Sequence, residues 1–272
     1  MNVAFCFSGA IKYPEFALKT MENIFPITNK KVFIHTWKIE NKENFLSTLG
    51  GIEYKILDEQ CTNNFSILEK YNYEKLLIEN YETKKEEFQF LYDNLNFLQN
   101  TNTEFDSIRK DIVPISMHYS LYKSNELKKQ YEKENNMTFD VVFRIRFDSD
   151  FRDGKLDISN VKDGIWIPEM STLDCGGLND TFAFGSSYCI DVYSSMFLYL
   201  NKLQKRVAYH PESMLKEYLV MRGVPVNRIQ MYIQINNGQD WRKQYLYYTT
   251  PEWVERGFPV INMSQEGRIF KV

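Results

Sequence analysis

An apolar run that leads directly into alternating charge is the feature of this sequence that most restricts its fold. Residues 139–142 read Phe-Asp-Val-Val, and residues 143–151 read Phe-Arg-Ile-Arg-Phe-Asp-Ser-Asp-Phe. Because successive side chains of a β-strand point to opposite faces, one face would carry Phe143, Ile145 and Phe147. The other face would carry four charged side chains, Arg144, Arg146, Asp148 and Asp150. Unpaired charges are costly to bury, so the pattern predicts a strand with one face in a core and its end in a polar cleft.

Two carboxylates at the end of that strand predict a site for a divalent cation. Asp148 and Asp150 have one residue between them, and Mg²⁺ commonly binds one or two carboxylates together with substrate phosphates. The alternative is a solvated strand end in which arginines pair with aspartates. Haloacid-dehalogenase-type phosphatases also use a strand followed by Asp-x-Asp, usually near the N-terminus and followed by Thr or Val. Here the pair is mid-chain and Phe151 follows, which argues against that family.

The order of the predicted elements indicates an α/β fold, a central mixed sheet flanked by helices. Pro14 marks the first turn of an early helix, and a long helix over 115–134 leads into the central strand. Residues 63–110 predict a helical insertion, which is either a lid or acceptor-side subdomain or a plain packing layer. Strands are predicted at 2–7, 31–37, 52–57, 164–168, 181–185 and 224–235, and further helices at 188–204 and 211–222.

The composition is that of a globular protein with one domain. The chain has 272 residues, enough for a sizeable core as one large domain or as one domain with an appendage. We expect a single domain over 1–272 with an irregular extension over 236–272. A net charge of −3 gives no field that would favour nucleic acid. No apolar run reaches membrane-spanning length and no signal peptide is evident, although peripheral membrane contact is compatible with the sequence. Scattered cysteines without metal-site spacing suit reduced thiols and a cytoplasmic location.

The N-terminal strand ends in a turn with features of a ligand site. Gly9 follows Phe7 and Ser8, and glycine lets a backbone approach a ligand closely. The helix after Lys12 would favour an anion at its N-terminus, but a plain tight turn is equally compatible. His35 ends the second predicted strand, either in contact with a base or phosphate or as a satisfied core histidine. With three histidines in the chain, a multi-histidine zinc site is not expected.

Two acidic segments in the second half of the chain are further candidates. Asp180 follows Gly177 and Asn179 in a glycine-containing loop, where a carboxylate would be able to take a proton from an attacking hydroxyl. The alternative is a turn capped by Asn or Asp. His210 and Glu212 flank a proline at the start of a predicted helix, and the helix dipole alone explains an acidic residue there.

Together these segments resemble the nucleotide-sugar glycosyltransferases of the GT-A fold. The order is similar: a nucleotide-binding strand and turn, a mid-chain Asp-x-Asp, and a glycine-containing loop with an acidic residue. More narrowly, the chain resembles bacterial and viral surface-polysaccharide glycosyltransferases, including lipopolysaccharide-synthesis types. The segments that carry the likeness are residues 4–9, 33–37, 140–148, 179–185 and 210–212.

The resemblance implies a UDP-, GDP- or dTDP-sugar donor, a glycan acceptor, and Mn²⁺ or Mg²⁺ as cofactor. It places Asp148 and Asp150 at the metal and diphosphate, and makes Asp180 the candidate base of an inverting mechanism. A retaining route, which needs no such base, stays open. The donor-binding residues that we predict are Phe7, Ser8, Gly9, Lys12, His35, Arg144, Arg146, Asp148, Gly177 and Asn179, with His210 and Glu212 as further candidates.

Two other classes of function share this architecture. A sugar-phosphate nucleotidyltransferase usually carries a glycine-rich N-terminal loop with basic residues for a triphosphate, and the Ser-Gly-Ala of residues 8–10 is sparse by comparison. A non-catalytic module that binds nucleotide sugars or glycans is the third class. Intact carboxylates at 148, 150 and 180 argue against that module.

Overall fold

The structure, a computed structural model, describes most of the chain. The described residues are 1–11, 13–24, 30–40, 65–98, 112–151, 156, 158, 161, 164–168, 177–229, 233–235, 261–263 and 269–271. Lys12 and the strand predicted at 52–57 lie outside them, as do parts of the ranges 63–110 and 236–272. The chain divides into two compact units, Met1–Asn236 and Asn237–Val272.

A seven-stranded mixed sheet forms the centre of the first unit. The strands described in this unit are β1 (Val3–Ser8), β2 (Lys30–Lys38), β3 (Lys75–Asn80), β4 (Val141–Arg146), β5 (Ser149–Phe151), β6 (Ile165–Pro168), β7 (Phe182–Gly185), β8 (Val226–Ile229) and β9 (Ile233–Ile235). The order across the main sheet is β3-β2-β1-β4-β7-β6-β8, and β5 pairs separately with β9. Within the main sheet β7 runs antiparallel to both its neighbours, and the other neighbouring pairs are parallel. The prediction of an α/β fold with a mixed sheet is confirmed.

Helices cover both faces of this sheet. They are α1 (Pro14–Ile24), α2 (Tyr81–Asp93), α3 (Val113–Glu134), α4 (Ser187–Ser194), α5 (Leu200–Leu203) and α6 (Pro211–Arg222), with 3₁₀ turns at Ser66–Tyr71 and Ser195–Tyr199. Side chains of α2 to α6 share one apolar cluster with one face of the strands, and α1 and the first 3₁₀ turn share a second cluster with the other face. Among the described helices, none combines the length and the apolar character needed to cross a bilayer.

Stacked phenylalanines fill the core on the α1 side of the sheet. The ring of Phe143 on β4 lies 4.8 Å from that of Phe5 on β1 and 5.4 Å from that of Phe184 on β7. Phe147 continues the row against Phe7 at 5.6 Å. The predicted aromatic face of the central segment therefore lies in the core, because a parallel strand buried on both sides needs apolar side chains to pack against its neighbours.

A buried lysine joins α3 to α4 on the opposite face. Lys128 is fully buried, and its ammonium group donates to Asp191 at 2.8 Å and pairs with Glu132 at 2.9 Å. It also donates to the Ser187 hydroxyl. A buried charge persists only when it is paired and hydrogen-bonded, so this cluster fixes α4 relative to α3.

Three predicted elements differ from the structure. Residues 75–80, predicted as part of a helical insertion, form β3 at the edge of the main sheet. The central segment is two strands, because a turn at residues 147–148 ends β4 and β5 joins another sheet. The strand predicted over 224–235 is likewise divided into β8 and β9.

The second unit, predicted as an irregular extension, contains regular structure. Its described strands are β10 (Ile261–Met263) and β11 (Ile269–Lys271), which pair antiparallel with Asn262 opposite Phe270.

Candidate functional site

The carboxyl ends of β1 and β4 form the edge of the sheet where the candidate residues meet. The chain leaves β1 toward β2 on one side, and β4 lies on the other side, so the connections diverge between β1 and β4. Ser8 stands in register between His35 and Arg146. In open α/β sheets, ligands bind in the crevice outside the carboxyl ends at such a switch point. The crevice beside Ser8 is therefore the candidate functional site.

Arg146 and Asp148 form a two-pronged ion pair at this edge. The Nε and Nη2 atoms of Arg146 donate to the two carboxylate oxygens of Asp148, each at 2.8 Å. The pairing of arginine with aspartate, which the sequence left open, is thus present. Tyr13 lies near enough that burial and then the charge of Asp148 raise the pKa of its phenol. No sequence pattern indicated that Tyr13 would belong to the site.

The backbone on either side of the second aspartate is held by a hydroxyl of α1. The Thr20 side chain donates to the Ser149 carbonyl and accepts from the Phe151 N–H, both at 2.9 Å. Asp150 lies between these two backbone contacts and opposite Gln234 of β9. Because Thr20 and Asp150 are both buried, α1 fixes the backbone that carries the carboxylate. Thr20 is 129 residues from Ser149, too far for local sequence reasoning to find.

A pair of carboxylates is a ligand set that a cation accompanied by phosphate groups commonly uses. Within the described part of the chain, no cluster of three or more His, Cys, Asp or Glu side chains has a metal-binding arrangement. A cation bound through one or two carboxylates and substrate phosphates does not need such a cluster. A carboxylate oxygen can accept more than one bond. Asp148 and Asp150 are therefore the residues that would hold Mn²⁺ or Mg²⁺.

Gly9, at the end of β1, is held in a conformation that suits glycine. Its φ is +101°, and a Cβ atom added there would meet none of the described atoms within 4 Å. Its N–H donates to the Ser120 hydroxyl at 2.7 Å, and its carbonyl accepts from Thr36 at 2.8 Å. A positive φ is easy for glycine, and the open space at the α-carbon leaves room for close approach of a ligand.

His35 lies in the core beneath that turn. Its Nδ1 is 2.7 Å from the Ser120 oxygen and its Nε2 is 2.9 Å from a Glu79 oxygen. Burial lowers the pKa of His35, although the hydrogen bond to Glu79 opposes this. Of the two interpretations of His35, the structure favours a core histidine whose two ring nitrogens already have partners.

Arg144 is a buried cation beside the same edge. The register places it between Cys6 and Ala183, two small residues that leave space above the sheet. It is fully buried, and its guanidinium nitrogens make no hydrogen bond with the described residues. Burial lowers the pKa of Arg144, while the nearby Tyr193 and Asp180 oppose that shift. A guanidinium pairs well with anionic groups, and here it supplies a positive charge without exposed surface.

The glycine-containing loop packs against the start of α6. The Leu178 N–H donates to the Glu212 carbonyl at 3.0 Å, and the Glu212 carboxylate lies 3.1 Å from His210 Nδ1. Asp180 is buried on the same loop, and its charge and that of Glu212 both act on Tyr193. The structure therefore brings together the loop, the predicted His210 and Glu212, and Tyr193, which the sequence did not indicate.

Asn179 has a local structural role in this loop. Its side-chain oxygen accepts hydrogen bonds from the Thr181 N–H at 2.7 Å and from the Thr181 hydroxyl. This is the turn capped by an asparagine side chain that the sequence offered as an alternative. The cap leads directly into β7, whose antiparallel direction brings the loop to the carboxyl edge of β4.

Gly177→Ala is expected to destabilise the protein by about 1–3 kcal/mol through overpacking. The added carbon would lie 2.5 Å from Glu212 Cβ and 2.6 Å from its carbonyl carbon, so the loop must move away from α6. Urea unfolding with an unchanged slope would measure the loss. Glu86→Ala, at an exposed position of α2, is the control and should change stability by less than about 0.5 kcal/mol. Wild-type stability for Gly177→Ala would contradict the described packing of the loop.

Comparison with known proteins assigns no family. No protein-family model matches the sequence, and no curated protein matches it. The candidate function therefore depends on the residues of this chain and on their geometry.

Proposed function

We propose that the protein is a glycosyltransferase that moves a sugar from a nucleoside-diphosphate sugar to a hydroxyl of a glycan acceptor. The observation that carries the proposal is the meeting of Gly9, the Arg146–Asp148 pair and Asp150 at one switch point of the sheet. Such a crevice is where α/β sheets bind nucleotides, and carboxylates beside it suit a cation that accompanies a diphosphate. The GT-A form of the fold belongs to this proposal, which a mixed sheet with one reversed strand supports.

The residues at this edge have different roles in binding the donor. Gly9 offers open space for a nucleotide against its backbone. Asp148 and Asp150 would hold Mn²⁺ or Mg²⁺, and the cation offsets the charge of the departing nucleoside diphosphate. Arg146 orients Asp148 through its two hydrogen bonds, and Arg144 supplies a buried positive charge behind the pair.

Asp180 is the proposed base for the acceptor. Its loop lies between the carboxyl end of β4 and the start of α6. The positive charge of Arg144 is near it. In an inverting transfer its carboxylate takes the proton of the acceptor hydroxyl while that oxygen forms a bond to the anomeric carbon. The bond from that carbon to the diphosphate breaks in the same step, and the diphosphate leaves with the bonding electrons.

The first test is a thermal-shift screen of UDP, GDP and dTDP with and without Mn²⁺. A ligand that binds only the folded state raises its apparent stability by about 2.7 kcal/mol at a concentration 100 times its Kd. We expect one nucleotide to raise the unfolding temperature in the presence of Mn²⁺ and the other two to raise it less. Equal responses to all three, or none, would contradict the proposal.

A second measurement separates transfer from the two alternatives. Incubation of the protein with the preferred nucleotide sugar and Mn²⁺ should release the nucleoside diphosphate, by transfer or by slow hydrolysis, as detected by mass spectrometry. Pyrophosphate release from a sugar phosphate and a nucleoside triphosphate would indicate a nucleotidyltransferase instead. Binding without any turnover would indicate a non-catalytic module.

A further inference from the structure

We propose that Glu79, His35 and Ser120 form a hydrogen-bond relay that fixes the backbone of Gly9 and so positions the wall of the nucleotide site. We refer to these three side chains as the Gly9 relay. The relay extends from the end of β3 to the end of β1 through one buried imidazole. The inference rests on the proposed function only where it assigns a nucleotide to Gly9.

The direction of each hydrogen bond follows from the partners. An ionised carboxylate only accepts hydrogen bonds, so Nε2 of His35 is the donor to Glu79, at 2.9 Å. A neutral imidazole has one donor and one acceptor, so Nδ1 accepts from the Ser120 hydroxyl at 2.7 Å. The Ser120 oxygen in turn accepts from the Gly9 N–H at 2.7 Å. Each donor in the relay therefore has an acceptor, and the three hydrogen bonds all point from Gly9 toward Glu79.

Burial favours the neutral imidazole, and hydrogen bonds favour the ionised carboxylate. Burial lowers the pKa of His35. Burial alone would raise the pKa of Glu79, but hydrogen bonds from His35 and Tyr119 lower it overall. The Tyr119 hydroxyl lies 3.1 Å from each Glu79 oxygen, and the rings of Trp37 and Tyr119 contact the imidazole edge to face. The ring therefore cannot turn without losing several contacts.

Gly9 has few restraints besides the relay among the described residues. Gly9 has φ +101° and open space at its α-carbon. Besides the relay, its N–H is 3.3 Å from the His35 carbonyl, and Thr36 donates to its own carbonyl. Glycine outside a helix or strand has wide conformational freedom. The side chains that restrict it here come from β2 and α3, and β3 supports them through Glu79.

The relay is tested first by NMR without any ligand. We expect His35 to be the Nε2–H tautomer and the Gly9 amide proton to resonate downfield. Ser120→Ala should shift the Gly9 amide, and Glu79→Ala should both shift it and populate the other tautomer. Glu79→Gln, which still accepts from Nε2, should restore the wild-type spectrum. The control is Ser124→Ala, a buried hydroxyl one turn along α3 that donates to the Leu121 carbonyl.

The second arm measures affinity for the preferred nucleoside diphosphate. Loss of the Ser120 hydrogen bond to Gly9 should weaken binding about tenfold in Ser120→Ala. Loss of the Glu79 bond to His35 should weaken it in Glu79→Ala through the same relay, with recovery in Glu79→Gln. A Gly9 amide that responds to these variants no more than to Ser124→Ala overturns the relay. Unchanged nucleotide affinity in variants whose Gly9 amide has moved overturns its positioning role. If the amide moves but the wild-type protein binds no nucleotide, the relay stands and the proposed function fails.

Discussion

Asp148→Asn is expected to weaken Mn²⁺-dependent binding of the nucleoside diphosphate, and turnover of its sugar, by at least about 100-fold. A cation stabilises developing charge by several kcal/mol, and each 1.36 kcal/mol is a factor of ten. The asparagine keeps the size of Asp148 but loses the charge. It also presents an amide to Arg146, whose Nε and Nη2 now bond the two carboxylate oxygens. Calorimetry with and without Mn²⁺ and mass spectrometry of the donor would measure the two losses.

A matched control lies at the other end of the same strand. Asp140 precedes β4, is exposed, and accepts from the Asn2 N–H at 2.6 Å. Asp140→Asn changes the net charge by the same amount and should leave binding and turnover unchanged. Asp150→Asn should lose Mn²⁺-dependent binding as Asp148→Asn does. Full activity in both Asp148→Asn and Asp150→Asn would rule out the proposed cation site.

Phe143→Ala is expected to lower the free energy of unfolding by about 3–5 kcal/mol, the usual cost of removing a buried phenylalanine. The Phe143 side chain is fully buried and lies between Phe5 and Phe184 in the row of stacked rings. Neighbouring strands fix the backbone on both sides, so the cavity has little freedom to collapse. Total stabilities are usually 5–15 kcal/mol, so this one change would remove a large part of the stability.

Urea unfolding of Phe143→Ala and Phe90→Ala distinguishes the loss of a buried ring from the loss of an exposed one. Phe90 lies on α2 with 73% of its surface exposed, and its replacement should change stability by less than about 0.5 kcal/mol. The midpoint should fall for Phe143→Ala while the slope stays the same. A loss below about 1 kcal/mol for Phe143→Ala would contradict the described packing of β4.

The main strands were predictable from the sequence because burial on both faces leaves a strong pattern. β1 is buried at every position and reads as a continuous apolar run. β3 was missed because each of its positions is only half-buried, as is usual at a sheet edge. Its Lys75 and Glu79 also resemble the polar helical sequence that follows. The break after Arg146 gave no signal, because the alternation of residues 143–151 continues through it.

The candidate residues of the site were identified by residue type, but the residues that contact them were not. Asp148 and Asp150 stood out because carboxylates after a buried strand are unusual. Thr20 on α1 and Tyr13 just before that helix lie more than a hundred residues earlier, and no local pattern connects them with the two aspartates. His35 shows the same limit: the sequence identified the residue, while its role depends on Ser120 and Glu79, which lie 85 and 44 residues away.

The division between β4 and β5 makes the two aspartates depend on different parts of the chain. Asp148 follows a strand of the main sheet, whereas Asp150 belongs to a two-stranded pair whose second strand is β9. A protein shortened to end before Ile233 would keep all seven strands of the main sheet and the ion pair of Asp148. It would lose the partner that sets the register of Asp150. The position of Asp150 relative to Asp148 therefore depends on β9, which follows every strand of the main sheet along the chain.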